Sequence, residues 1–192
     1  TVIDMNIYEL YKDQTEADPL LRAIKSYQGV LFEEWNKETI WGAWGRNPTN
    51  TGLGAIGFYL YSRCMPPRVC ELGVGGFCPS LKLVDTYPMA KSGRYPVTGY
   101  DNNGNPVIDK QSGYTNTGFT ENFKQPGASF APGFKAHNSC VGRDARFYAS
   151  VFPNGFYWIN QYKGIKQVTF FTGGSSSYLE SGDCVKVGYL WR

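Results

Sequence analysis

Trp44, Arg46, Asn47 and Asn50 fall within one short span of this chain, and that mixture of side chains suits a saccharide. A sugar ring lies with its C–H face against an aromatic ring, while its hydroxyls bond to guanidinium, amide and carboxylate groups. Tyr59 and Tyr61 extend the aromatic supply, and with the first four they make up the candidate ligand-binding residues. Tyr100, Asn102 and Asn103 offer a second cluster further along. Large aromatics are often buried. Trp41 and Trp44 would face opposite sides of a strand, so at least one of them is expected in the core.

Catalysis finds less support. A glycosidase needs two carboxylates flanking the scissile bond, one of them held neutral by burial. Glu33, Glu34, Glu38, Asp85 and Asp109 are available, but no context singles any of them out. The single histidine, His137, stands between Ala136 and Asn138, and the chain has no Gly-x-Ser-x-Gly elbow. Gly73-Val74-Gly75-Gly76 lacks the Lys-Ser/Thr that completes a phosphate loop. The spacing of Cys64, Cys70 and Cys78 lacks the paired knuckles of a structural zinc site. An exported chain would permit a disulfide among these three, without fixing which pair forms. Asp101 to Asp109 is rich in oxygen ligands, but its glycine is misplaced for a calcium loop, and a tight turn between two extended segments explains it better. No cofactor and no metal are expected, and the chain reads as a binder, not an enzyme.

A net charge of +3, spread along 192 residues, gives no basic patch of the kind that phosphate neutralisation requires, so nucleic acid is not an expected partner. Aromatic residues are almost as frequent as charged ones, at 16% against 18%, which favours a loop-rich globular protein over a coiled or disordered one. No apolar run is long enough to span a bilayer.

Two blocks organise the second half. In Pro79-Ser80-Leu81-Lys82-Leu83-Val84-Asp85-Thr86-Tyr87-Pro88-Met89-Ala90, Ser80 can cap a helix that Pro88 cannot continue, so a short half-buried helix is predicted. In Gly142-Arg143-Asp144-Ala145-Arg146-Phe147-Tyr148-Ala149-Ser150, the two arginines and Asp144 are expected to form a structural charge network at the start of a strand. Phe147, Ala149 and Val151 would alternate with Tyr148, Ser150 and Phe152 along it. Leu83, Val84, Phe147, Ala149 and Val151 are predicted to share one core.

Together the two blocks resemble the carboxy-terminal half of the SusD/RagB family, and the resemblance runs from about Tyr27 onward; Asn36-Lys37-Glu38-Thr39-Ile40 is similar to the family's Asn-x-Glu run before an apolar strand. It departs from the family at Lys91-Ser92-Gly93, where members commonly carry Asp-Gly, and at Ala145, where they commonly carry Pro. The resemblance implies a surface lipoprotein of the Bacteroidetes outer membrane that captures nutrients, usually glycans, and delivers them to a SusC-like TonB-dependent transporter. Capture of peptides or proteins is the main alternative, and a polysaccharide-degrading enzyme a lesser one. Contact with the membrane would run only through a lipid anchor on a cysteine that this chain lacks. The implied fold is α+β: residues 1–32 would end a tetratricopeptide-like helical scaffold, and 33–192 would form an irregular, incomplete carboxy-terminal region with short strands. The chain is therefore expected to be a fragment, with the remainder of its own protein among its partners.

Local patterns fill in the rest. Ile3 to Leu10 and Pro19 to Phe32 carry helical signals, the second with Asp18 as cap and Leu20, Ile24, Tyr27 and Leu31 as an apolar stripe. That stripe is expected to be bare unless further helices of the protein cover it. Residues 40–44 look like a strand, and Arg46 to Gly54 like a loop. Gly93 to Ser139 reads as a long loop without periodicity. Asn154-Gly155 predicts a type I′ hairpin joining 147–152 to 156–160, and Val168 to Thr172 and Cys184 to Leu190 are further candidate strands.

Overall fold

The computed structural model describes residues 18–32, 63–69, 73–160, 164–177 and 188–191. The helix predicted at 3–10, the strand at 40–44, the loop at 46–54 and Cys70 and Cys184 lie outside them. The described residues form an α+β arrangement of short helices and four two-stranded antiparallel sheets. No helix among them is long and apolar enough to cross a membrane.

Helix α1 spans Pro19–Phe32. Asp18 starts it by accepting a hydrogen bond from the Leu20 amide at 2.9 Å, with Pro19 at the first helical position, where a missing N–H costs nothing. Three side chains of its apolar stripe are covered, wholly or in part, from within this chain. Ile24 is buried in the main core, Leu20 and Tyr27 pack against that core, and the helix lies on α3, Ala145–Ser150. For these three side chains the expectation of a bare stripe does not hold, because α3 supplies covering surface.

Helix α2, Leu81–Asp85, follows the sequence reading: the Ser80 hydroxyl accepts from the Leu83 amide at 3.3 Å. Val84 is buried, and it joins Phe147, Ala149 and Val151 in one cluster, whereas Leu83 stays half-buried outside that cluster.

The long tract after Gly93 is not a structureless loop. Strand β1, Val97–Tyr100, pairs with β2, Pro106–Ile108, and β3, Phe119–Phe123, pairs with β4, Phe134–His137. Register shifts between Val97 and Gly99 and between Thr120 and Phe123 break the alternation that would have revealed these strands. Asn122 takes a φ of 53° within the second shift. The Asp101 segment is the expected tight turn, its carboxylate accepting from the amides of Asn103 and Asn105 at 2.9 and 2.7 Å.

The predicted strand and hairpin after Arg143 are corrected. Asp144 accepts from the Arg146 amide at 2.9 Å and so caps helix α3 at Ala145–Ser150, which buries Phe147, Tyr148 and Ala149 together. Ala145 occupies the first helical position, one that proline suits equally well.

Strand β5, Val151–Pro153, pairs with β8, Tyr189–Trp191, while β6, Tyr157–Asn160, pairs with β7, Gly164–Gln167. The turn between β5 and β6 carries positive φ at Gly155 but not at Asn154, and the Phe156 amide closes it onto the Pro153 carbonyl at 3.3 Å. That is type II geometry, which splays the strands it joins instead of pairing them as a type I′ turn would. The β signal at 168–172 belongs to 164–167 instead, and of the segment Cys184 to Leu190 the described part begins its strand at Tyr189.

Aromatic rings fill the core beside these sheets. Phe134 meets Phe123, Phe156 and Tyr157 edge-on at centroid distances of 5.7, 5.5 and 5.5 Å. Gln125, buried, acts as one more strand residue: its amide oxygen accepts from the Tyr157 N–H at 2.6 Å and its amide nitrogen donates to the Tyr157 carbonyl at 3.0 Å.

Candidate functional site

The two blocks singled out in the sequence meet through Arg143. Its guanidinium is 1% exposed and donates to the carbonyl oxygens of Val84, Tyr87 and Ser139 at 2.5, 3.0 and 3.2 Å. It lies between rings, 4.7 Å from the Phe147 centroid and 5.3 Å from that of Tyr114. Backbone bonds from Ala90 to Gly142 and from Asp144 to Pro88 complete the seam. The expected network of two arginines about Asp144 is therefore corrected: Asp144 pairs with Arg146 at 2.7 Å, and Arg143 turns inward to hold the end of α2.

Held in this way, α2 forms one wall of an open groove of about 500 Å³, with β1 and the residues before it as the other. Lys82, Asp85 and Thr86 share a helical face toward the groove, and Tyr95, Thr98 and Tyr100 stand opposite. Tyr95 and Tyr100 are 59% and 41% exposed, so ring faces are available to a ligand. Asp85 is only 6% exposed. Its Oδ2 accepts from the Tyr100 hydroxyl at 2.7 Å. Burial raises the Asp85 pKa, while the Tyr100 hydrogen bond and the Arg143 charge pull the other way. The same hydrogen bond raises the pKa of Tyr100.

The hairpin that presents Tyr100 is fastened by contacts of its own. Arg94 Nε pairs with Asp109 Oδ2 at 2.6 Å, Asp109 Oδ1 caps the turn at Lys110–Ser112, and Thr98 Oγ1 donates to the Val107 carbonyl at 3.2 Å. Asp109 is thus a structural carboxylate.

Trp44, Arg46, Asn47, Asn50, Tyr59 and Tyr61 lie outside the described residues, as do Trp41, Glu33, Glu34 and Glu38. Of the second cluster, Tyr100 reaches the groove, while Asn102 and Asn103 sit exposed at the hairpin tip. The residues that sequence reasoning missed are Lys82, Thr86, Tyr95 and Thr98. Positions 82, 85 and 86 stand at helical spacing within a helix already predicted, and that signal was available. His137 begins a short helical turn, its Nδ1 2.8 Å from the Ser139 hydroxyl. Cys64, Cys78 and Cys140 are free thiols, and burial pushes Cys140 up to about 11.

Compared with protein-family models, curated proteins and solved structures, the chain finds no match.

Proposed function

We propose that this chain captures a saccharide in the groove between α2 and β1, as a SusD/RagB-like binding protein at the outer-membrane surface that passes its ligand to a SusC-like TonB-dependent transporter. One observation carries the reading: a buried carboxylate, Asp85, lines the same groove as two exposed tyrosines, Tyr95 and Tyr100, which is the pairing of polar anchor and flat apolar face that a sugar needs. The resemblance supports it from a second side, because Lys82, Asp85 and Thr86 belong to the first of the two blocks on which it rests. A tetratricopeptide-like scaffold and a lipid anchor belong to the same reading and would be contributed by other parts of the protein.

The reading is one of binding without turnover. Glycosidic hydrolysis uses a pair of carboxylates, and Asp85 is the one carboxylate lining the groove among the described residues. Each ring stacked on a sugar contributes on the order of 1 kcal/mol, so two rings supply about half of the roughly 4 kcal/mol that millimolar binding requires and hydrogen bonds supply the rest. Weak capture suits a protein that must release its ligand to a transporter.

Calorimetry with an oligosaccharide library tests this. Tyr95→Ala and Tyr100→Ala should each weaken saccharide binding, whereas Trp44→Ala with Arg46→Ala should leave it. The opposite pattern would move the site to the Trp44 loop, and turnover of a polysaccharide abolished by one carboxylate substitution would make the protein an enzyme.

A further inference from the structure

Asp85 is a buried carboxyl without an ion-pair partner among the described residues. Only its Oδ2 receives a hydrogen bond among the described residues, from Tyr100, and no Lys or Arg there forms an ion pair with it. Its second oxygen is not among the sealed, unsatisfied polar atoms, and the residue lines the groove, so that oxygen is reachable from the groove.

The neighbouring cations are committed elsewhere. Arg143, behind α2, makes no ion pair with Asp85: it donates to three backbone carbonyls and lies against two rings, its buried Nε is left unpartnered, and its charge reaches Asp85 only as a through-space attraction. Arg94, before Tyr95, is held by Asp109 at 2.6 Å. Lys82 is exposed at the rim, where water and salt weaken its field. The titratable groups facing Asp85 from the opposite wall are Tyr95 and Tyr100, whose rings present negative π faces.

A buried carboxylate with an open oxygen, beside two electron-rich rings, is complementary to a cation more than to a neutral hydroxyl. We infer that the saccharide taken by this groove carries a protonated primary amine, an amino-sugar unit whose ammonium docks on Asp85 while its ring lies against Tyr95 or Tyr100. This inference rests on the proposed saccharide capture and adds the charge class of the ligand.

The test is calorimetry on the full chain at pH 6 with three β-1,4-linked tetramers, of glucosamine, N-acetylglucosamine and glucose, and with a tetralysine peptide. The glucosamine tetramer should bind about tenfold more tightly than either of the others, the gain expected of one charge-assisted bond. Asp85→Asn should remove that preference while the variant still melts cooperatively. Equal binding of the three tetramers, each weakened by Tyr95→Ala, would overturn the amine inference and leave saccharide capture standing. A preference that survives Asp85→Asn would overturn it as well, since the amine would then have another partner. Binding of tetralysine but of no tetramer would assign the amine to a peptide and overturn both readings, as would the absence of binding by every probe.

Discussion

Arg143 Nη2 donates to the carbonyl oxygen of Val84 at 2.5 Å, across 59 residues of chain. This bond places a buried cation at the carboxyl end of helix α2, where backbone carbonyls concentrate negative partial charge. The groove depends on it, because α2 carries Lys82, Asp85 and Thr86, and the bond joins the packing of Val84 in the core and the Tyr100 hydrogen bond in fixing the helix.

Arg143→Leu should therefore cost on the order of 3 kcal/mol, since three buried carbonyls lose a donor at once. Arg143→Lys should recover only part of the loss, because an ammonium lacks the planar fork and stacks poorly between Phe147 and Tyr114. Urea denaturation of the three proteins is the measurement. A leucine variant as stable as the parent would show that the seam between the two blocks is held by the backbone pairs alone.

The same seam shows which features the sequence discloses. Helix α2 was readable because Ser80 and Pro88 mark its limits within a few residues, and the Asp101 turn because its chemistry is local. Arg143 was not, because its partners are main-chain carbonyls that carry no side-chain signature. Helix α3 was hidden by a chance alternation from Phe147 to Phe152, and the cap at Asp144 was the sign that outweighed it. The hairpin at Asn154-Gly155 failed on a single dihedral, since only Gly155 takes positive φ. Half of the groove was legible: Tyr100 and Asp85 were noticed separately, but only the fold brings the hydroxyl of one to the carboxylate of the other.

Val84→Asp should unfold the chain, because Val84 is 1% exposed and a buried charge without a partner costs several kcal/mol. Phe147→Ala should cost about 3–5 kcal/mol by opening a cavity in the same cluster. Leu83→Ala, outside the cluster, should cost less than half as much. Equal melting temperatures for the Val84 variant and the parent would place that face of α2 in water.

Asp85 makes a pH-dependent contribution whose sign follows from its raised pKa. In the unfolded chain the carboxyl titrates near its ordinary value of about 3.9. In the folded chain it holds its proton to higher pH, so its favourable contribution is complete below the unfolded value and is lost as pH rises through the folded one. Asp85→Asn removes the buried charge while keeping an oxygen for Tyr100. The variant should melt higher than the parent at pH 7, and the gap should close as pH falls toward 4 or below. A variant less stable than the parent at pH 7 would mean that the attraction of Arg143 outweighs desolvation at this site.

Asp144 offers two interactions that substitutions can separate. Its Oδ1 accepts both from the Arg146 amide at 2.9 Å, which caps α3, and from Arg146 Nε at 2.7 Å, which makes an ion pair. Both side chains are partly exposed, 25% for Asp144 and 21% for Arg146, so the pair alone is expected to contribute little. The cap is worth about 1 kcal/mol. Asp144→Asn keeps a capping oxygen and loses the charge, so it should lower the melting temperature only slightly. Asp144→Ala removes both and should show the full loss of the cap, and Arg146→Ala should resemble the asparagine variant. Thermal melts of the three decide the matter. If asparagine and alanine at position 144 prove equally costly, the ion pair and not the cap fixes the start of α3.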